Sequence, residues 1–269
     1  MIQVVVVQVA AAAVDVTNKF ITTSEASNQA KKTASLLKTL HVNAIINGEH
    51  GVGKTALAAF ILPDAFIIDA SNFDELLTSL ESSNEIIIKN IDKSPNLLRL
   101  INAIVNNNVR VIATSCEILS SDYIDEIFSI KIDIPPLRER PEDINTLLKV
   151  FTDEARSLFG SQKEVFTFED LEPDLSQNSY SLRRQVMINF LLQDIKDTDL
   201  MELTEKYLYN RLGTSNDYKN FLYLYEVPLI KTGLKKFKSQ LQLSDKLGLN
   251  RNTLRKKISD NQKYLTKEI

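Results

Sequence analysis

The chain has 269 residues, 43% of them hydrophobic, enough for one large domain or two to three small ones with an ordinary core, which excludes a disordered or fibrous protein. A single cysteine, Cys116, excludes a disulfide framework within the chain, and with only His41 and His50 besides there is no zinc-type cluster, so a reducing, cytoplasmic setting is expected. The net charge is −3, yet residues 229–263 carry ten lysines and arginines against Asp245 and Asp260, a basic end on an acidic body of the kind that marks a nucleic-acid-binding appendage.

In chain order, residues 2–14 are apolar but number about 13, fewer than the roughly 20 of a membrane span, and no basic leader precedes them. The segment 1–19 is therefore expected to be a strand or buried segment, and no membrane association is expected. Short β-branched runs at 44–47, 65–68, 85–88, 109–114 and 130–134 alternate with helical spacing at 56–61, 73–80 and 97–105. That alternation predicts an α/β fold with a parallel sheet and crossover helices. After Pro135 and Pro136 the character changes. Pro141, Glu142 and Asp143 suit the first turn of a helix over 141–159, and only helices are predicted beyond it, at 181–195, 198–209 and 226–237, with two short ones ending near Ser259. The polar, glycine-containing stretch starting at Gly213 reads as a linker.

Gly48-Glu49-His50-Gly51-Val52-Gly53-Lys54-Thr55 fits G-x-x-x-x-G-K-[ST], directly after a predicted strand and before a predicted helix. Glycine is needed there because the backbone must turn tightly enough to aim its N–H groups at phosphate oxygens, and the helix N-terminus adds its dipole. All eight positions are candidate nucleotide contacts: Lys54 would reach the β- and γ-phosphates, and Thr55 would ligate Mg²⁺. ATP with Mg²⁺ is the expected cofactor.

The string Ile134-Pro135-Pro136-Leu137-Arg138-Glu139-Arg140-Pro141-Glu142-Asp143-Ile144 resembles the PPLRER-x-x-DI segment of sigma-54-dependent activators of the NtrC type, and residues 109–114 resemble the strand before their sensor I. The resemblance implies a P-loop AAA+ parallel-sheet core over residues 20–140, a helical lid over 141–212, a linker over 213–225 and a DNA-binding domain over 226–269. It also makes Arg183, in Ser181-Leu182-Arg183-Arg184, the candidate sensor II arginine.

Four departures from that family pattern bear on activity. Lys89 and Asn90 follow the run 86–88 where the family has the Walker B Asp-Glu pair, so the acids for Mg²⁺ and for water are both replaced; Asp92 could substitute only with a shift of strand or turn. Only about 30 residues separate Thr55 from Ile86, room for one helix, one strand and another helix, and no GAFTGA loop occurs. Residues 120–127 offer no arginine finger, a group worth roughly 10³ to 10⁵ in rate. The sensor I asparagine position falls on Ser115 or Cys116, and Cys116 reads as a buried thiol at a strand end.

At the C-terminal end, 239–247 can form one helix, Gly248 a tight turn and 251–259 the next, with Leu254 and Ile258 facing inward at i, i+4. The residues Gly248-Leu249-Asn250-Arg251-Asn252-Thr253-Leu254-Arg255-Lys256-Lys257 resemble the recognition end of Fis-type helix-turn-helix domains. Position then assigns Asn252 and Thr253 to base edges, Arg251 and Arg255 to guanine or phosphate, and Lys256 and Lys257 to phosphate of double-stranded DNA. A homodimer through the C-terminal domain is expected, since one such unit reads only a half-site and the apolar helix over 227–237 resembles the Fis dimerisation helix. The sequence as a whole points to a DNA-binding regulator that binds ATP without activating sigma-54 polymerase and with weak or no hydrolysis. An active ATPase, or a nucleotide-free scaffold in mixed AAA+ oligomers with a full-length activator, are the alternatives.

Overall fold

The computed structural model describes residues 20–119, 122–159, 172–193 and 195–265. The segment 1–19, read from the sequence as a strand or buried segment, lies outside the described residues. The chain divides into two units, Met1–Asp194 and Ile195–Ile269.

In the first unit the β-branched runs become five strands: β1 (Ala44–Asn47), β2 (Phe66–Asp69), β3 (Glu85–Lys89), β4 (Arg110–Ser115) and β5 (Ile130–Asp133). All pairings are parallel and the order is β2-β3-β4-β1-β5. Parallel strands need crossovers, and helices α1 (Glu25–Leu37), α2 (Lys54–Ile61), α3 (Phe73–Ser82), α4 (Leu97–Asn106) and α5 (Asp122–Ile127) cover both faces. Alternate residues of each strand therefore enter different cores. Ile86, Ile88, Val111 and Ala113 pack with Leu76 and Leu80 of α3 and Leu100, Ile101 and Ile104 of α4. On the other face Ile46, Ile87 and Ile112 pack with Ala30, Ala34 and Leu37 of α1 and with Leu57, Ala58 and Ile61 of α2.

The strands fall within a residue of their expected positions. Helix α1 is a helix the sequence reading did not assign, because its buried stripe is made of Ser27, Ala30, Ala34 and Leu37, three of them too small to register as an apolar face. The connection between α3 and β3 is only Ser83 and Asn84, so the compact spacing expected from the sequence is real in the fold. Two further helices, α6 (Pro141–Phe159) and α7 (Ser179–Leu192), pack on each other around Leu137, Leu148, Phe151, Leu182 and Val186.

The second unit is helical: α8 (Asp197–Tyr209), α9 (Asp217–Phe221), α10 (Tyr223–Phe237), α11 (Gln240–Lys246), α12 (Arg251–Asp260) and α13 (Gln262–Leu265). Its core joins Ile230, Leu243, Leu254 and Leu265. The division differs from the sequence boundaries. Residues 195–212, expected in the lid, fall with the C-terminal helices, and the expected linker 213–225 is helical from Asp217 to Phe221 and again from Tyr223. Asp217, the first residue of that helix, pins the turn before it: its carboxylate accepts hydrogen bonds from the backbone N–H groups of Gly213 and Thr214 at 2.7 and 2.9 Å.

Candidate functional site

The loop Gly48 to Thr55 leaves the carboxyl end of β1, which lies between β4 and β5, and enters α2 directly. The carboxyl edge of such a sheet is where ligands of open α/β folds bind. Two glycines explain the loop's composition. A Cβ on Gly48 would lie 2.5 Å from the Ile134 carbonyl oxygen, and one on Gly51, at φ +81°, would lie 2.3 Å from the Gln177 carbonyl oxygen. Lys54 is 7% exposed, and its ammonium donates to the carbonyl oxygens of Gly48 (2.5 Å) and Glu49 (2.8 Å) and lies 3.4 Å from Cys116 Sγ. A buried cation is thus held between the loop and the end of β4, beside a helix N-terminus capped by Gly53 with no side-chain bond. Thr55 is the second residue of α2 and half-buried.

The far side of the loop is held by residues 88 to 129 positions away in sequence. The Asn178 amide donates to the His50 carbonyl oxygen (2.9 Å) and to Glu49 Oε2 (3.1 Å) and accepts from the Leu137 N–H (2.7 Å). Ser179 donates its hydroxyl (2.6 Å) and its N–H (3.2 Å) to the Gly51 carbonyl oxygen. Arg138 forks onto both oxygens of Glu49 at 2.7 and 3.0 Å and holds that carboxyl below the usual carboxylate range. Arg140 donates to the Val52 carbonyl oxygen (3.1 Å) and pairs at 3.0 Å with Asp143, whose other bonds come from Thr23, Ser24 and Ser27 at the start of α1. The string 134–144 was legible as a resemblance, but its physical job, tying α1 and the phosphate loop to α6, was not. Asn178 and Ser179 carried no sequence signal at all beyond preceding an expected helix.

Burial first, and then the charges of Lys54, Lys93 and Lys89, hold the His50 imidazole below its ordinary value. Just past the end of β3 Asn90 adopts φ +52° and donates its amide to Asp69 Oδ2 at 2.6 Å. Burial opposes ionisation of Asp69, but hydrogen bonds from Ser71 and Asn90 and the charge of Lys89 bring its pKa below the usual value. Asp92 sits in a 3-10 turn, Ile91–Lys93, with Oδ1 accepting from Ser115 Oγ (3.0 Å) and the Cys116 N–H (3.1 Å). In P-loop proteins Mg²⁺ is held by the loop Ser/Thr and an aspartate of the Walker B strand. Here Thr55 provides the hydroxyl, while the strand end provides Lys89 and Asn90, so the donor set does not fit the ion; nor do the described residues contain any group of three or more His, Cys, Asp or Glu that could hold a metal.

Arg183 does not reach the loop in the expected role. Its guanidinium forks onto Glu154 of α6 at 2.9 and 2.5 Å, with Glu154 5% exposed, and that pairing compensates its charge inside the helix pair. Of the arginine-finger stretch, residues 120 and 121 lie outside the described residues.

Taken by itself, the second unit places α11 and α12 on either side of a four-residue turn in which Gly248 has φ +63°. Asn250 caps α12 by accepting from the Asn252 N–H at 2.9 Å. Leu254 points into the core, and Arg251, Asn252, Thr253, Arg255 and Lys256 are exposed along one solvent-facing run. Lys257 differs from expectation: it is half-buried and its ammonium is bonded to Glu226 of α10, which Asn261 also contacts at 3.3 Å, so it braces the helices. Gly233 lets α10 and α11 cross closely, since a Cβ there would lie 2.3 Å from Leu243 Cδ1. Among the described residues no helix is long and apolar enough to cross a membrane.

No protein-family model matches the chain, and no curated protein does. Among solved structures, NtrX from Brucella abortus in complex with ADP superposes with a TM-score of 0.59 at 16% identity, covering 90% of this chain and 69% of that one. The same protein in complex with ATP gives 0.57 at 16% identity, covering 89% and 68%. The likeness is one of fold: the chain has an AAA+-type P-loop α/β fold.

Proposed function

We propose that this chain is a sequence-specific DNA-binding regulator whose P-loop binds a nucleoside triphosphate, ATP in the first instance, as a ligand with little or no turnover. The observation that carries the reading is the Lys54 ammonium, buried at the mouth of a Gly48–Thr55 loop whose glycines cannot accept a Cβ. A buried lysine held by two carbonyl oxygens and the Cys116 sulfur is poised to exchange one of them for a phosphate oxygen. ATP and ADP in NtrX support the choice of ligand by analogy of fold. The replacement of the Walker B acids by Lys89 and Asn90 supports binding over hydrolysis, and the two-residue connection between α3 and β3 leaves no room for a sigma-54-contacting loop there. If phosphate release were found, Asp92, fixed beside Cys116, is the acid it would require.

In the same reading α12 is the recognition helix of a Fis-like helix-turn-helix. Its exposed Arg251, Asn252, Thr253 and Arg255 face the major groove of double-stranded DNA and Lys256 the backbone, in a homodimer formed through this unit. A mixed oligomer with a full-length AAA+ activator is a further arrangement compatible with the fold.

The test is calorimetric titration of the full chain with ATP, with phosphate release followed in the same samples, alongside salt-dependent DNA binding. Lys54→Ala is expected to weaken nucleotide binding about ten- to a hundredfold, the range for a hydrogen bond to a charged group, and to leave DNA binding in place. Arg255→Ala is expected to weaken DNA binding and relax its sequence preference, and Lys256→Ala to lower the salt slope by about 1, both with nucleotide affinity unchanged. Equal ATP affinity in wild type and Lys54→Ala would end the nucleotide reading; DNA affinity insensitive to salt would end the other.

Nucleotide binding should also take up protons. A polyphosphate beside His50 raises a pKa that the free protein holds down, so affinity gains as the pH falls toward and below 6.5, the ordinary value, relative to His50→Gln titrated in parallel. Parallel pH profiles for the two proteins would show His50 to be uninvolved.

A further inference from the structure

Resting on the nucleotide reading above, we propose that this P-loop takes its nucleotide as the metal-free polyphosphate anion, with the Lys89 ammonium standing where catalytic P-loop proteins hold Mg²⁺. Strand alternation places it there. Ile86 and Ile88 of β3 pack in the core under α3 and α4, whereas Ile87 packs with Leu57 and Ala58 of α2. Lys89, two residues on, leaves the strand on the face of α2, at the carboxyl edge from which the loop departs. Thr55, whose hydroxyl is the motif's Mg²⁺ ligand in P-loop proteins, lies at the start of that same helix.

The charge balance of this edge agrees with the placement. The His50 ring feels the positive charges of Lys54, Lys93 and Lys89 together, so three ammonium groups lie within electrostatic reach of the loop. The neighbouring carboxylates are each engaged: Glu49 by Arg138 and Asn178, Asp69 by Asn90 and Ser71, and Asp92 by Ser115 and Cys116. Asp69, directly across from Lys89 in the β2–β3 register, offsets part of its charge without forming an ion pair. Mg²⁺ demands a near-octahedral oxygen shell, commonly one or two carboxylates with phosphates and water. A strand-end ammonium instead repels a divalent cation and attracts the free polyphosphate, whose charge the metal would otherwise neutralise.

Calorimetric titration of the full chain with ATP, once in excess EDTA and once in excess Mg²⁺, tests this directly. The wild type is expected to bind at least as tightly in EDTA as in Mg²⁺. Lys89→Ala should lose about ten- to a hundredfold in EDTA, and Lys89→Asp should bind weakly in EDTA and recover affinity when Mg²⁺ is added. Thermal melts identify any variant that fails to fold, and Lys89→Gln then replaces it. Wild-type binding ten times weaker in EDTA than in Mg²⁺, or a folded Lys89→Ala that matches the wild type in EDTA, would overturn the proposal while leaving the nucleotide reading intact. No binding in either buffer overturns the nucleotide reading and this proposal with it.

Discussion

Asp143→Ala is expected to destabilise the first unit by about 3–5 kcal/mol, the cost of stripping one partner from a buried ion pair. The Arg140 side chain is 4% exposed and that of Asp143 1%, at 3.0 Å. Removing the carboxylate leaves the guanidinium charged and dry, orphans the N–H groups of Thr23 and Ser24, and takes one partner from each of the Ser24 and Ser27 hydroxyls, which keep each other. Since a domain's whole stability is about 5–15 kcal/mol, much of it would be gone. Urea unfolding followed by a probe of the sheet measures the change. The double variant Arg140→Ala/Asp143→Ala should cost less than the two single losses added together, because it removes the stranded charge as well. A single Asp143→Ala within about 0.5 kcal/mol of wild type, the usual range of a surface change, would show that these bonds do not hold the core together.

Gly51→Ala is expected to disable the phosphate loop. The added methyl carbon meets backbone, the Gln177 carbonyl oxygen at 2.3 Å, which cannot yield as a flexible side-chain end would, and then the Tyr180 ring at 2.9 Å. Relief requires the loop to move away from the start of α7, breaking the bonds from Ser179 to Gly51 and from Asn178 to His50. Left-handed backbone at a non-glycine residue adds roughly 1–2 kcal/mol of its own. Together these should lower stability by about 2–4 kcal/mol and ATP affinity at least about tenfold. Gly213→Ala is the control, since φ there is +135° but nothing lies within 4 Å of the added carbon, so it carries strain without collision. If the two substitutions behave alike, the contact between loop and α7 has no energetic weight.

The sequence by itself determined the sheet and the loop. Buried parallel strands must be apolar on both faces, so 85–88 and 109–114 appear as unbroken β-branched runs, and the glycines and lysine of 48–55 are fixed by local backbone geometry and phosphate chemistry. The turn at Gly248 was legible for the same reason: it is decided within a few residues. Only the tertiary structure decided which charges are available. The sequence offers Arg183 as a sensor II arginine and Lys257 as a DNA-phosphate contact, but Glu154, 29 positions away, and Glu226, 31 positions away, take them into ion pairs. Arg140 and Asp143 likewise became a buried knot through Thr23 and Ser24, and Lys89 acquired its place beside the loop from strand order and alternation. Periodicity and turn chemistry are local properties of the chain, whereas a salt bridge or an orphaned ammonium depends on which distant element folding brings within about 4 Å.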